Sequence, residues 1–159
     1  MFQCANADDL RLQGVFVNTA QTEEPIKSAI EAAVKDFNFV ARPIARGRLK
    51  RANPFFKRVA IERRGNSLTI VAGASKPTTT EPDHAPIKWT RDDGEVFDVS
   101  TVWQGATLIQ TFASRDGTRV NRYALSSDGV TLTMQVAVSG PELAKPVQYQ
   151  LSFRRETTQ

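Results

Sequence analysis

The chain is poor in cysteine and histidine, two side chains on which many enzymes and metal sites rely. Its 159 residues include one cysteine, Cys4, and one histidine, His84. A single cysteine excludes an internal disulfide, and with one histidine a zinc site would need carboxylates gathered from distant loops. No metal or other cofactor is expected. Gly-x-Ser-x-Gly is absent and the nine glycines sit mostly at turns, so neither a nucleophile elbow nor a phosphate-cradling loop is present. No apolar run approaches the ~20 residues that a membrane-spanning helix needs. The start lacks the basic and apolar regions of an export signal. Residues 1–9 are expected to form a polar leader; so abrupt an opening suits a secreted or periplasmic mature form, with a cytoplasmic protein as the alternative.

What remains is an ordinary globular composition, 40% apolar and 24% charged, of a length suited to one domain over residues 10–159. The net charge is only +4, but it is unevenly spread. Between Arg42 and Arg64, nine basic residues stand against Glu62 alone. Such a run is ordinarily a solvated face. It also suits an anionic surface met through Arg42, Arg46 and Lys50, or the mouth of a cavity that draws in anions. Nucleic acid is disfavoured, because no ladder of aromatics accompanies the charge.

The periodicities place a first strand over Leu10–Asn18, then a helix. Thr22 can cap that helix, Glu23 and Glu24 suit its positive end, and Ile26, Ala29, Ile30, Ala33, Val34 and Phe37 recur at helical spacing. Arg42, Arg46 and Lys50 are four apart, allowing a second, basic helix weakened by Gly47. From Phe56 onward strands alternate with turn signals: Gly65-Asn66, Asp93-Gly94, Gln104-Gly105, Asp116-Gly117 and Asp128-Gly129. Leu132, Met134, Val136 and Val138 fall on one face, as do Val147, Tyr149, Leu151 and Phe153. The residues between Lys76 and Pro86 read as a loop. A meander of eight or more strands removes its edges by closing. The expected fold is therefore mainly β, an antiparallel up-and-down barrel with one or two helices inserted after the first strand.

Gly14-Val15-Phe16 on the first strand resembles the glycine-x-tryptophan signature of the lipocalins, with phenylalanine for tryptophan. Arg154 or Arg155 on the last strand resembles the arginine that packs over that aromatic and closes the barrel bottom. The order of strand, helix and long meander is similar to the calycin superfamily, including the intracellular fatty-acid-binding proteins. Tyr123–Leu132 and Tyr149–Arg155 also resemble small bacterial lipocalin-like proteins. The resemblance implies a cavity for a small apolar or amphipathic molecule, with an arginine and a tyrosine meeting a ligand carboxylate. Arg119 and Tyr123, four apart on one strand, can share a face and form such a pair; Arg122 must point the other way. Trp89 and Trp103 are candidate walls, and Met134 and Tyr149 complete the candidate ligand-binding set. The plainer reading turns both arginines to solvent and makes both tyrosines core.

Two further function classes stay open. An enzyme using the cavity needs an acid or base inside it, for which Asp98, mid-strand, or His84, in the Glu81–His84 loop, are the candidates. An interaction module instead has a filled core and uses the basic segment 42–64. Binding without catalysis is the preferred function.

Overall fold

The computed structural model describes residues 11–20 and 22–157. The expected leader, residues 1–9, and Cys4 lie outside the described residues. Strand β1 spans Gly14–Asn18, shorter than expected because Arg11 and Leu12 are helical and lead into it. Two helices follow, α1 over Glu24–Val34 and α2 over Ala41–Ala52. Nine strands complete the chain: β2 (Arg58–Arg64), β3 (Ser67–Ala72), β4 (Thr78–Thr80), β5 (Ile87–Thr90), β6 (Val96–Gln104), β7 (Thr107–Ala113), β8 (Thr118–Leu125), β9 (Thr131–Ser139) and β10 (Val147–Arg155).

All ten strands lie in one antiparallel sheet, ordered β4-β3-β2-β1-β10-β9-β8-β7-β6-β5. The meander is wrapped so that first and last strands pair, Phe16 opposite Arg155. At the tight β2–β3 hairpin, Gly65 takes φ +60°, a conformation that costs glycine nothing.

Closure is incomplete, which corrects the expectation that the meander removes its edges. No ladder joins β4 to β5. A seam runs between them, bridged from β4 to β6. Thr80 Oγ1 lies 2.7 Å from Thr101 Oγ1, and the Asp83 amide donates to the Thr101 carbonyl at 2.8 Å. The β4 strand itself lies within the stretch expected to be loop. Thr78 and Thr80 point inward and are buried, while Thr79 faces out.

The end of the barrel near the start of the chain is sealed by Arg155, and Arg154 is exposed. The Arg155 guanidinium sits 4.7 Å over the Phe16 ring. It donates to the carbonyls of Gly129 (2.9 Å), Gln13 (2.6 Å) and Arg11 (2.5 Å). A planar fork with several donors is suited to that task, since it stacks and satisfies loose carbonyls at once. Gly14, at φ +151°, passes directly beneath the guanidinium, where any Cβ would collide with Arg155 Nη1. Above this seal the barrel is filled by Phe16, Leu108, Leu132, Met134, Leu151 and Phe153, all essentially inaccessible to solvent.

Helix α1 begins as its sequence suggests: Thr22 Oγ1 accepts from the Glu24 amide at 3.1 Å. Its buried face, Ile26, Ile30, Ala33 and Val34, joins the barrel core. Asn38 then starts α2, its Oδ1 accepting from the Val40 and Ala41 amides. Pro43 falls in the first turn of α2, where a missing amide costs nothing. Only Leu49 of α2 is buried, and Lys50 and Arg51 sit at its negative end.

Candidate functional site

The end opposite the Arg155 seal holds a cavity of about 640 Å³. That is within the roughly 300–1,000 Å³ usual for small-molecule sites. Ala45, Leu49 and Ala52 of α2 form its roof. Its walls come from β3 through β9, and β1, β2 and β10 contribute nothing. The asymmetry follows from α1, whose apolar face packs into the core on the β10 side.

Register gives the depth. Descending β7 and β8 from the turn at Ser114–Gly117, the inward rows are Phe112 opposite Arg119, Gln110 opposite Asn121, and Leu108 opposite Tyr123. Phe112, Arg119, Gln110, Asn121 and Tyr123 all line the cavity; Leu108 does not. The cavity thus ends about halfway down the barrel, on a polar floor.

That floor is internally bonded. Gln110 Nε2 donates to Thr78 Oγ1 at 2.8 Å, and Gln110 Oε1 accepts from the Tyr123 hydroxyl at 3.0 Å and Asn121 Nδ2 at 3.3 Å. Burying these groups would cost about 1–3 kcal/mol each if left unpaired, so the network is what makes a polar interior tenable. Burial pushes the Tyr123 phenol up to about 12, against the opposing pull of the nearby Arg119 cation and its bond with Asn121. Tyr149 is raised for the same reason.

Arg119 stands at the edge of this floor. Its Nε donates to Asn121 Oδ1 at 2.9 Å, and its Nη1 to the Ala52 carbonyl at 2.8 Å and Asn53 Oδ1 at 3.2 Å. Its guanidinium lies 5.7 Å from the Phe56 ring centre. Asn53 is itself fixed, donating to the Leu49 carbonyl and accepting from the Tyr149 hydroxyl at 2.9 Å. The Arg119 partners are all neutral oxygens. Its Nη2 is buried without a partner, and among the described residues no carboxylate pairs with this cation. A guanidinium with one nitrogen unpaired has the chemistry to accept an anion.

An aromatic wall faces the roof. Trp89, Phe97 and Phe112 meet edge to face or tilted, with centroids 5.4 to 6.3 Å apart. The rim is charged. Arg91 bridges Asp93 and Glu95, holding the Asp93 carboxyl down to about 2 chiefly through their direct hydrogen bond. Arg48 on α2 reaches Glu142 of the β9–β10 loop at 3.8 Å.

Of the residues singled out from sequence, Trp89, Arg119 and Tyr123 line the cavity, while Trp103, Met134 and Tyr149 do not. Met134, in the same row as Tyr123, is packed solid, and the Tyr149 hydroxyl meets Asn53 and the nearby Arg119 from behind the lining. Trp103 is half-buried against the core with its Nε1 unpartnered. Arg122 is exposed, as strand parity requires. The two acid–base candidates are not in the site. Asp98 faces outward and pairs with Lys88 at 2.6 Å, and His84 lies in an exposed loop with Nδ1 3.2 Å from Glu81. Asp98 is excluded by its own neighbours, since Phe97, Val99 and Thr101 take the inward positions of β6. Among the described residues no cluster of metal-ligating side chains occurs. Sequence reasoning missed Phe56, Phe97, Phe112, Gln110, Asn121 and Thr78.

Among the described residues the architecture is a half-hollow antiparallel barrel of ten strands, with two helices after the first. No family model and no curated protein matches the chain. Among solved structures it is similar to a Schistosoma mansoni fatty acid binding protein in complex with arachidonic acid, at 15% identity and a TM-score of 0.59 over 95% of this chain and 100% of that one. It is similar to a secretary abundant heat soluble protein of Ramazzottius varieornatus, at 11% identity and a TM-score of 0.62 over 92% and 96%. It also matches a luciferase domain from the dinoflagellate Lingulodinium polyedrum, at 12% identity and a TM-score of 0.58 over 94% of this chain and 42% of that one. These likenesses define the fold. A luciferase domain among them shows that the barrel alone does not decide the function.

Proposed function

We propose that the protein is a non-catalytic binding barrel for a small amphipathic anion, whose carboxylate docks on Arg119 Nη2 while its apolar body fills the space beneath α2. The observation that carries this reading is the buried, unpartnered Nη2 of a guanidinium whose other two nitrogens are locked in place. An ionised partner there forms a charge-assisted bond, about twice as strong as a neutral one. The test is displacement of a fluorescent anilinonaphthalene sulfonate by a carboxylic acid and by its matched primary alcohol. The acid should bind at least about tenfold more tightly, and Arg119→Gln should erase the difference. Equal affinity of acid and alcohol for the unaltered protein would refute the reading.

A second reading, contact with an anionic surface, is favoured by one observation. Phe39 (88% exposed), Val40 (74%) and Ile44 (58%) stand out at the α1–α2 corner beside the cavity roof. Large apolar side chains left in water beside a basic helix suit a negatively charged interface. The cations that serve it are not all those suggested by spacing. Arg46 is committed to Glu31 at 2.6 Å and Arg42 to the carbonyls of Lys35 and Phe37. Arg48 reaches Glu142, which leaves Lys50 with Arg51 beside it. Co-sedimentation with phosphatidylglycerol vesicles, weak with phosphatidylcholine and lost in Phe39→Ser/Ile44→Ser, is the expected result; equal recovery with both lipids would exclude it.

A further inference from the structure

The shape of the cavity narrows the class of anion it can take, and the narrowing rests on the binding reading above. Three facts combine. The cavity stops at the Gln110–Asn121 row, and the next row down, Leu108, Tyr123, Met134 and Leu151, is packed. Arg119, whose Nη2 has no partner, lies one row above Gln110 and Asn121, opposite Phe112. The apolar surface left for a ligand body is the cluster of Trp89, Phe97 and Phe112 under the short side chains Ala45 and Ala52.

We infer that the site selects compact carboxylic acids with a ring-bearing body, aromatic or alicyclic, over long unbranched fatty acids. With the carboxylate at Arg119, a ligand body cannot run down the barrel axis, because the bonded amides of Gln110 and Asn121 and the packed layer below bar the way. Its body must turn back toward the rim within the upper half of the barrel. A rigid ring fits that short path with little loss of freedom, and its faces and edges meet three rings already set edge to face. An unbranched chain on the same path must fold on itself or leave its end among the charged rim residues, losing both conformational entropy and apolar contact. Gln110 and Asn121 present amide dipoles rather than methyl groups to whatever touches the floor, so a polar substituent near the carboxylate is tolerated there and a hydrocarbon chain is not.

The two tryptophans make a direct test. Trp89 lines the cavity and Trp103 does not, so Trp103→Phe leaves one reporter in the site. That protein is titrated with 2-naphthoic acid and with palmitate, following Trp89 emission, with calorimetry on the unaltered protein as a check. Naphthoate should bind with one-to-one stoichiometry at least about tenfold more tightly than palmitate. Gln110→Leu should narrow that gap by relieving the polar floor. If palmitate binds one-to-one as tightly as naphthoate or more so, the selectivity is wrong while the binding barrel stands. If neither acid saturates, the binding reading fails with it.

Discussion

Arg119 and Tyr123 show how much one side chain's surroundings decide. Both are on β8, both point inward, and they share Asn121 as a neighbour, yet they are used in opposite ways. Tyr123 is fully bonded and buried, a neutral group holding a polar floor together. Arg119 is held just as firmly but keeps one edge unspent. The difference is testable through titration, because the chain has only two tyrosines. Burial raises Tyr123 to about 12 and raises Tyr149 as well. A phenol whose folded pKa lies above its unfolded value contributes stability that is complete below about pH 10, the ordinary tyrosine range. That contribution is lost as pH climbs through about 12. Ultraviolet titration of the folded protein should therefore show no phenolate step near pH 10, and the same sample in denaturant should show both. A full phenolate step near pH 10 in the folded protein would mean that the floor is open to water.

Elements differed in how plainly the sequence announced them. β9 and β10 alternate cleanly because one face meets the core and the other meets water, and their observed bounds follow that alternation within a residue. β4 has no such signature. Its three threonines look identical on both faces, and only position turns Thr78 and Thr80 inward and leaves Thr79 out. Helix α2 carried a weak signal for a physical reason: it roofs a cavity and buries only Leu49, so it needs no apolar stripe. The same logic explains the site. Strand parity was enough to put Arg119 and Tyr123 on one face. Gln110 and Asn121 went unread because an inward amide resembles an outward one in sequence, and β7 offers apolar residues at both parities. Parity says nothing about depth, so Met134 and Trp103 have the right face but sit outside the lining. Arg155 was legible because a fork over an aromatic beside a glycine is a local constellation, and the register joins its two ends.

The molecule as a whole is a barrel with one weak line. Nine of its ten strand junctions are continuous ladders, whereas β4 and β5 face each other across a seam bridged mainly by polar contacts from β4 and its following loop to β6. Trp89 Nε1 adds one more contact there, reaching the Pro77 carbonyl at 3.2 Å. Edge strands this short carry few cooperative hydrogen bonds, so local opening should begin at the seam rather than at the β8–β10 wall opposite. The Arg155 seal closes one end and the packed lower half leaves no passage there, so breathing of the seam beside Trp89 enlarges the cavity without unfolding the core. Hydrogen exchange should show Thr78–Thr80 and Ile87–Thr90 losing protection well before Thr131–Ser139. Thr101→Val leaves the buried Thr80 hydroxyl without that partner, at a cost of about 1–3 kcal/mol, and should speed exchange in β4 while β9 and β10 stay unchanged. Uniform protection across all ten strands, or an equal loss in β9 on Thr101→Val, would mean that the barrel opens as one cooperative unit and that the seam is no route into it.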